Sequence, residues 1–209
     1  MLRPMSLLSH SWQRACSELL ARAVDPGLME RLLAAYAEPH RRYHSLQHLD
    51  ECLASFEQVR HLAAQPAEVD MAIWFHDAVY DLQGKDNEAR SADWARDALT
   101  AAGVAPAKAE RVRQLVMATC HSALPVSVDE QWLVDVDLAI LGAPAPRFAQ
   151  YELQIRQEYA FVPEVLFRSK RREILSGFLA RPHIYNTPHF RVALEHRARS
   201  NLDKAVTSG

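Results

Sequence analysis

A histidine followed directly by an aspartate stands in the middle of an apolar segment that has the pattern of a helix. The pair is His76-Asp77, and Met71–Phe75 precede it. The helical spacing of Ala72, Ile73 and His76 places the imidazole on the face that turns to the core, with the aspartate about 100° further around. Two ionisable groups near a buried face are costly without a compensating partner. A divalent cation takes neutral imidazole and carboxylate together, so the pair predicts a metal site.

Residues that could complete such a site occur on both sides of the pair. His44 and His48 lie upstream, and Asp135 and Asp137 lie downstream. The order along the chain is therefore a histidine, the His-Asp pair and an aspartate, each on a different predicted helix. A single buried histidine is more often a hydrogen-bonded core residue than a ligand, but the ordered set favours metal binding.

The last ligand position has two candidates. Asp135 and Asp137 are about 200° apart on a helix, so both cannot point at one site. Asp137 aligns with Leu133, Ile140 and Leu141 and is the favoured ligand. Asp135 is then an acid that orients a ligand histidine, or one that caps or pairs elsewhere.

These motifs resemble the HD superfamily of metal-dependent phosphohydrolases, which hold a divalent metal with one histidine, an adjacent His-Asp pair and a distant aspartate inside an all-helical domain. The ligands that the resemblance implies here are His48, His76, Asp77 and Asp137. The chain is similar over nearly its whole length to a group of small bacterial proteins described as predicted HD superfamily phosphohydrolases. The matching stretches are Phe75–Asp81, Asp86–Ala92, Asp137–Gly142 and Ile184–Thr187.

The segment Tyr43–His48 also resembles the matching stretch of cyclic-nucleotide phosphodiesterases, in which the second histidine is a ligand and the first protonates the leaving oxygen. The resemblance thus implies that His44 is a general acid; a loop histidine at a polar surface is the equal alternative. Some relatives orient or deprotonate the attacking water with a carboxylate after the pair, and Asp81 and Glu88 are the candidates here. Glu88 is more simply an acid in the first turn of a helix. Tyr80 stands where certain nucleotidase relatives carry glutamate, which disfavours a simple 5′-nucleotidase.

Other residues are candidates at the edge of the site. His121 ends a helix with core periodicity and could hold a second metal with Asp77 bridging, although a histidine at the negative end of a helix dipole is slightly favoured. Arg168 and Arg171 belong to a basic run, and Tyr185 follows a proline-containing turn. They are candidates for phosphate or substrate binding, whereas a solvated helix face is the more common explanation of the basic run.

The composition is that of an ordinary globular protein. Of 209 residues, 49% are hydrophobic and 24% charged, and the net charge of −2 gives no overall attraction to nucleic acid or membrane. Cys16, Cys52 and Cys120 lack CxxC spacing, which predicts reduced thiols in a cytoplasmic protein. We expect no signal peptide, no membrane span and no nucleic-acid module.

The sequence predicts an all-α fold class, as a single-domain HD-type bundle of nine or ten helices over 1–205 with a disordered tail at 206–209. Helix-forming residues dominate, only six glycines occur and alternating strand patterns are absent. The predicted helices are Leu7–Ala23, one from Pro26, Leu46–His61 with Ser45 as cap, one from Pro66, Asn87–Ala102, one ending near His121, Trp132–Leu141, Arg147–Tyr159, Pro163–Leu179 and Pro188–Lys204.

The resemblance implies a phosphohydrolase that uses metal-activated water on a phosphoester or phosphoanhydride bond of a small nucleotide-like molecule. Mixed nitrogen and oxygen ligands suit Mn, Fe, Co, Ni or Zn, with Mg less favoured. Two alternatives stay open, a non-catalytic nucleotide- or phosphate-binding metal protein and a di-iron oxygenase on the same fold.

Overall fold

A computed structural model describes residues 7–19, 25, 27–121 and 123–208. Every regular element in these ranges is helical, with ten α-helices and two short 3₁₀ helices. The predicted all-α class is therefore confirmed. The chain divides into two compact units, Met1–Val136 and Asp137–Gly209, which are described in turn. A single domain over 1–205 stays a prediction.

The first unit is built from helices joined by short turns. Their bounds are α1 Leu7–Leu19, α2 Leu28–Tyr36, α3 Leu46–Val59, a 3₁₀ helix Arg60–Leu62, α4 Pro66–Phe75, α5 Asn87–Ala101, α6 Pro106–Ala118 and α7 Val128–Asp137, whose last residue opens the second unit. The expected residues Ala23 and Pro26 lie outside the described ranges. Ser45 occupies the N-cap position of α3, as predicted, although its side chain makes no capping hydrogen bond there.

Helix α4 is the central helix of this unit. Every residue from Ala67 to Phe75 is buried, and the helix packs against α1, α3, α5 and α6. The helix ends at Phe75, where the backbone N–H of Ala78 donates to the Phe75 carbonyl and closes a turn. The expectation of a His-Asp pair in the middle of a helix was therefore wrong, because His76 caps α4 and Asp77 follows it.

The N-terminal half of α4 carries two buried acids that are neutralised by arginines. Glu68 binds the Arg111 guanidinium through both carboxylate oxygens, at 2.6 and 2.8 Å. Asp70 accepts a hydrogen bond of 2.8 Å from Arg60 and lies 3.4 Å from Arg14. Charged side chains can remain inside this helix because each has an oppositely charged partner.

Helix α7 begins four residues earlier than predicted. The Ser127 hydroxyl accepts a hydrogen bond from the Glu130 backbone, and the Glu130 carboxylate accepts one from the Ser127 backbone. This reciprocal capping box satisfies the first backbone donors of a helix and fixes its start at Val128. Earlier in the chain, α6 ends at Ala118, three residues before His121, near which its end was predicted.

The second unit continues from α7 as a 3₁₀ helix and three α-helices. The bounds are Leu138–Gly142 for the 3₁₀ helix, α8 Ala145–Glu158, α9 Glu164–Leu179 and α10 Pro188–Ser208. Helix α10 runs past Lys204, the residue after which the sequence predicts fraying. In the described part of the chain, none of the helices is both long and apolar enough to cross a membrane.

The 3₁₀ helix after Asp137 is held by its own unit. The Asn201 amide donates to the carbonyls of Leu141 and Ala143, at 2.9 Å each. A Cβ atom at Gly142 would lie 2.7 Å from the Leu194 Cβ, so only glycine fits this close approach. The predicted α-helix to Leu141 is thus replaced after Asp137 by a tighter helix whose carbonyls are bound by side chains.

Candidate metal centre

One face of α3 carries two buried groups that can bind a metal. His48 and Cys52 are one helical turn apart, and their exposed fractions are 2% and 3%. They stand among the core residues Leu49, Leu53 and Phe56 of the same helix. The Cys52 sulfur lies 3.7 Å from each ring nitrogen of His48.

The end of α4 presents a second buried imidazole. The Nδ1 atom of His76 lies 2.8 Å from the Ile73 carbonyl oxygen. A carbonyl only accepts hydrogen bonds, so Nδ1 carries a proton, and the Nε2 atom presents a lone pair when the ring is neutral. A ring held in this way by a backbone carbonyl is the usual arrangement of a metal-binding histidine.

Three donor atoms converge at this point. The Nε2 atoms of His48 and His76 are 3.0 Å apart. The Oδ2 atom of Asp77 lies 3.2 Å from His76 Nε2 and 3.4 Å from His48 Nε2. Ligand atoms about 2.1 Å from one metal ion are about 3.0 Å apart at a right angle and about 3.4 Å apart at the tetrahedral angle. The three separations therefore match those of ligands that share one ion.

The carboxylate of Asp77 is held in its charged form. Burial opposes ionisation, but the positive charges that His76 and His44 carry when protonated, and the hydrogen bonds that His48 and His76 then donate, outweigh it and keep the pKa of Asp77 well below its usual value. A lone pair of a neutral imidazole and an anionic oxygen at 3.2 Å repel each other unless a proton or a metal ion lies between them. A proton or a metal ion bound between these atoms would therefore stabilise the site.

Asp137 supplies a further carboxylate. It is the last residue of α7, so its position follows from the rest of that helix, which belongs to the first unit. Four residues each offer one ligand atom, and these four atoms lie within 4.8 Å of one another. The residues are His48, Cys52, His76 and Asp137. Among the described residues, this group includes Asp137 and omits both Asp77 and the fully buried Asp135. A group able to hold a metal ion is therefore present, with three of the four predicted ligands; Asp77 as a ligand stays a prediction that rests on its distances to the two imidazoles.

His44 lies beside the centre, just before α3 begins. Its ring centroid is 4.2 Å from that of Tyr80 and 5.9 Å from that of His48. Its charge contributes to the lowered pKa of Asp77. The half-buried imidazole thus lies close to the rings of Tyr80 and His48, and its role as a general acid stays a prediction.

Arg41 ties the two histidine-bearing segments together and is a residue that the sequence pattern missed. Its buried guanidinium donates to the backbone carbonyls of Asp77 at 2.6 Å, Ala78 at 3.1 Å and His44 at 3.1 Å. These carbonyls belong to the turn after α4 and the loop before α3. One cation therefore sets the spacing between them.

The acids proposed to position water lie in a turn and in the first turn of a helix. Asp81 is exposed, and its carboxylate accepts a hydrogen bond of 2.9 Å from the Gln83 backbone in a turn. Glu88 is half-buried in the first turn of α5. Catalytic roles for both stay predictions.

The remaining predicted residues are held elsewhere. His121 follows α6 with a left-handed backbone, φ 54°, and is not part of the ligand group found among the described residues. In the second unit, the Arg171 guanidinium binds Glu152 and lies over the Tyr151 ring, and Arg168 is exposed on α9. Tyr185 is fully buried, and its hydroxyl donates to the Leu138 carbonyl. Substrate contacts by these residues stay predictions.

Cys52 is the ligand candidate that the sequence analysis overlooked. Cys52 lies on the buried face of α3, where a cysteine behaves as a small apolar residue. The spacing His48-x-x-x-Cys52 was the available signal, because residues four apart lie on the same face of a helix.

Comparison of the chain with family models, with curated proteins and with solved structures finds no match.

Proposed function

We propose that this protein is a metal-dependent phosphohydrolase of the HD type, acting on a phosphoester or phosphoanhydride bond of a small nucleotide-like substrate. The observation that carries the proposal is the convergence of His48 Nε2, His76 Nε2 and Asp77 Oδ2 at separations of 3.0–3.4 Å. Asp137, at the end of α7, adds a carboxylate to the two imidazoles. Two imidazoles and two carboxylates suit a divalent transition metal.

Some side chains of the site would bind the metal ion, and another would transfer a proton. When bound, the divalent ion would supply Lewis acidity that lowers the pKa of water and polarises the phosphorus centre. The Ile73 carbonyl keeps the proton of His76 on Nδ1, so that Nε2 stays available as a ligand atom. His44, whose ring centroid lies 5.9 Å from that of His48, would donate a proton to a departing oxygen near the centre.

The substrate class rests on the resemblance of Tyr43–His48, Phe75–Asp81 and Asp137–Gly142 to HD phosphohydrolases and cyclic-nucleotide phosphodiesterases. The net charge of −2 disfavours a long polyanion such as nucleic acid, whose binding requires many phosphate contacts from basic side chains. A small phosphorylated molecule requires only the centre and a few donors around it.

The test combines metal analysis with a hydrolysis screen on the full chain. The protein would be loaded separately with Zn²⁺, Mn²⁺, Co²⁺, Fe²⁺, Ni²⁺ and Mg²⁺ and assayed on phosphomonoesters, cyclic phosphodiesters and nucleoside triphosphates. We expect one bound ion per chain and turnover in wild type. Both should be lost in His76→Ala and kept in His61→Ala, which removes an exposed histidine.

The other outcomes separate the alternatives. Bound metal with no turnover on any phosphate would indicate a non-catalytic binding protein. Two irons per chain with oxygen consumption would indicate the oxygenase. A folded wild-type protein that binds none of these ions would overturn the metal centre itself.

A further inference from the structure

A sulfur atom lies within a centre that is otherwise made of nitrogen and oxygen donors. Cys52 is 3% exposed and stands one turn after His48 on α3, which directs both side chains to the same face. Its sulfur can be grouped with ligand atoms of His48, His76 and Asp137 so that all lie within 4.8 Å of one another.

The sulfur position agrees with a shared ion. A thiolate sulfur about 2.3 Å and an imidazole nitrogen about 2.05 Å from one metal ion are about 3.6 Å apart at the tetrahedral angle. The Cys52 sulfur lies 3.7 Å from the Nε2 atom of His48. That nitrogen is the same atom that lies 3.0 Å from His76 Nε2 and 3.4 Å from Asp77 Oδ2.

The other two cysteines of the chain lie outside the candidate metal centre. Cys16 and Cys120 are half-buried, and neither belongs to the ligand group found among the described residues. Burial raises the pKa of the Cys16 thiol to about 11, as expected for a cysteine in apolar surroundings. They therefore serve as matched controls for Cys52.

We propose that Cys52 is a ligand of the metal centre and makes it select thiophilic divalent ions, of the class Zn²⁺, Co²⁺ and Fe²⁺, over Mg²⁺ and Mn²⁺. The inference rests on the metal centre of the proposed function. When the ion binds, the sulfur–hydrogen bond breaks, the proton passes to solvent and the sulfur electron pair binds the metal. Soft thiolate ligands favour Zn and Fe, whereas Mg and Mn prefer oxygen ligands.

The first experiment leaves Cys52 in place and removes the other thiols. The full-length Cys16→Ser/Cys120→Ser variant, stripped with a chelator, would be titrated with Co²⁺ and followed by absorption spectroscopy. We expect an intense near-ultraviolet sulfur-to-cobalt charge-transfer band that saturates at one equivalent. Zn²⁺ should abolish the band at one equivalent, whereas a large excess of Mg²⁺ should not.

A second variant measures what the sulfur contributes. Cys52→Ser should lose the band and bind Zn²⁺ at least about tenfold more weakly, since even disturbing the contacts that support a ligand costs that much affinity. Its Mg²⁺ affinity should change less, so the preference for Zn²⁺ should fall. Circular dichroism would verify that the variant is folded.

The outcomes separate this inference from the proposed function. Cobalt bound with only weak visible bands and no charge-transfer band would overturn the sulfur ligand and leave the metal centre standing. No binding of Co²⁺ or Zn²⁺ by the folded protein would overturn both. Equal affinities for Zn²⁺ and Mg²⁺ would contradict the proposed selectivity.

Discussion

The two ends of α4 compensate their ionisable groups in different ways. Near its start, Glu68 and Asp70 bind the guanidiniums of Arg111 and Arg60. At its end, the carboxylate of Asp77 lies against the imidazoles of His48 and His76. Arginine is always charged, so the first arrangement is complete within the protein, whereas a neutral imidazole brings no charge. A buried acid facing arginine is therefore structural, and one facing histidines is suited to bind a cation.

The direction of the pKa shifts follows the same division. Burial, the largest influence, raises the pKa of Asp70 in spite of the hydrogen bond from Arg60 and the charge of Arg14. At the other end, the surrounding histidines keep the pKa of Asp77 well below its usual value. The charged form is thus costly at the start of α4 and favoured at its end.

The largest expected effect on stability is at the start of the helix. Asp70→Ala leaves two partly buried guanidiniums without their inner partner and should lower the free energy of unfolding by about 3 kcal/mol. The loss is at the lower end of the usual range because Arg60 and Arg14 keep glutamates at the surface. Urea unfolding at neutral pH measures it, with the exposed Asp50→Ala as control. Unchanged stability would show that the pairing is not structural.

At the other end of the helix, the largest effect should be on metal binding. Asp77→Asn removes the negative charge from the centre and should weaken Zn²⁺ binding about 100-fold, which corresponds to about 2.7 kcal/mol. Asp70→Asn should leave the affinity within about twofold. Calorimetric titration with Zn²⁺ measures the affinity of both variants. Equal losses of Zn²⁺ affinity in the two variants would contradict the difference proposed between the two ends of α4.

Arg41 should affect both stability and metal binding, because it joins the turn after α4 to the loop before α3. Arg41→Met leaves the carbonyls of His44, Asp77 and Ala78 without this donor, which should lower the free energy of unfolding by about 2 kcal/mol. Zn²⁺ affinity should fall about tenfold through misplaced ligands. Arg42→Met, which changes an exposed neighbour, is the control for both measurements. A loss of stability with unchanged affinity would show that Arg41 holds the fold but does not position the ligands.

The smallest expected effect is at the surface partner of Arg14. The hydrogen bond from Arg14 lowers the pKa of Glu57, so its contribution to stability is present above the usual glutamate pKa and is lost as the pH falls through the lowered value. Since Glu57 is 42% exposed, solvent screening limits the effect of Glu57→Gln to less than about 1 kcal/mol. Thermal unfolding between pH 7 and acid measures it. A Glu57→Gln effect as large as that of Asp70→Ala would remove the contrast between buried and exposed partners.

The local pattern predicted the all-helical class and three members of the ligand group, His48, His76 and Asp137. His48 and His76 lie on apolar helical stripes, so their burial follows from periodicity, and Asp137 follows from its phase on a helix with buried neighbours. The pattern missed Cys52, because a thiol on an apolar stripe is indistinguishable from a core residue until its distance to His48 is known.

The end of α4 could not be predicted from its own residues. The turn at Asp77 is stabilised by Arg41, which is 36 positions away in the chain, and no local pattern indicates that pairing. The start of α7 could have been predicted from the sequence, since Ser127 and Glu130 have the spacing of a capping box. Local signals thus define helix starts well, whereas this helix end depends on a distant side chain.

The most direct test of the metal centre is an anomalous-scattering experiment on crystals grown with Zn²⁺, with data collected on both sides of the zinc absorption edge. The account predicts one dominant peak, about 2.0–2.2 Å from the Nε2 atoms of His48 and His76 and from a carboxylate oxygen of Asp77. A strong peak elsewhere, or an ordered chain in which the two imidazoles contact each other directly with no peak between them, would contradict it.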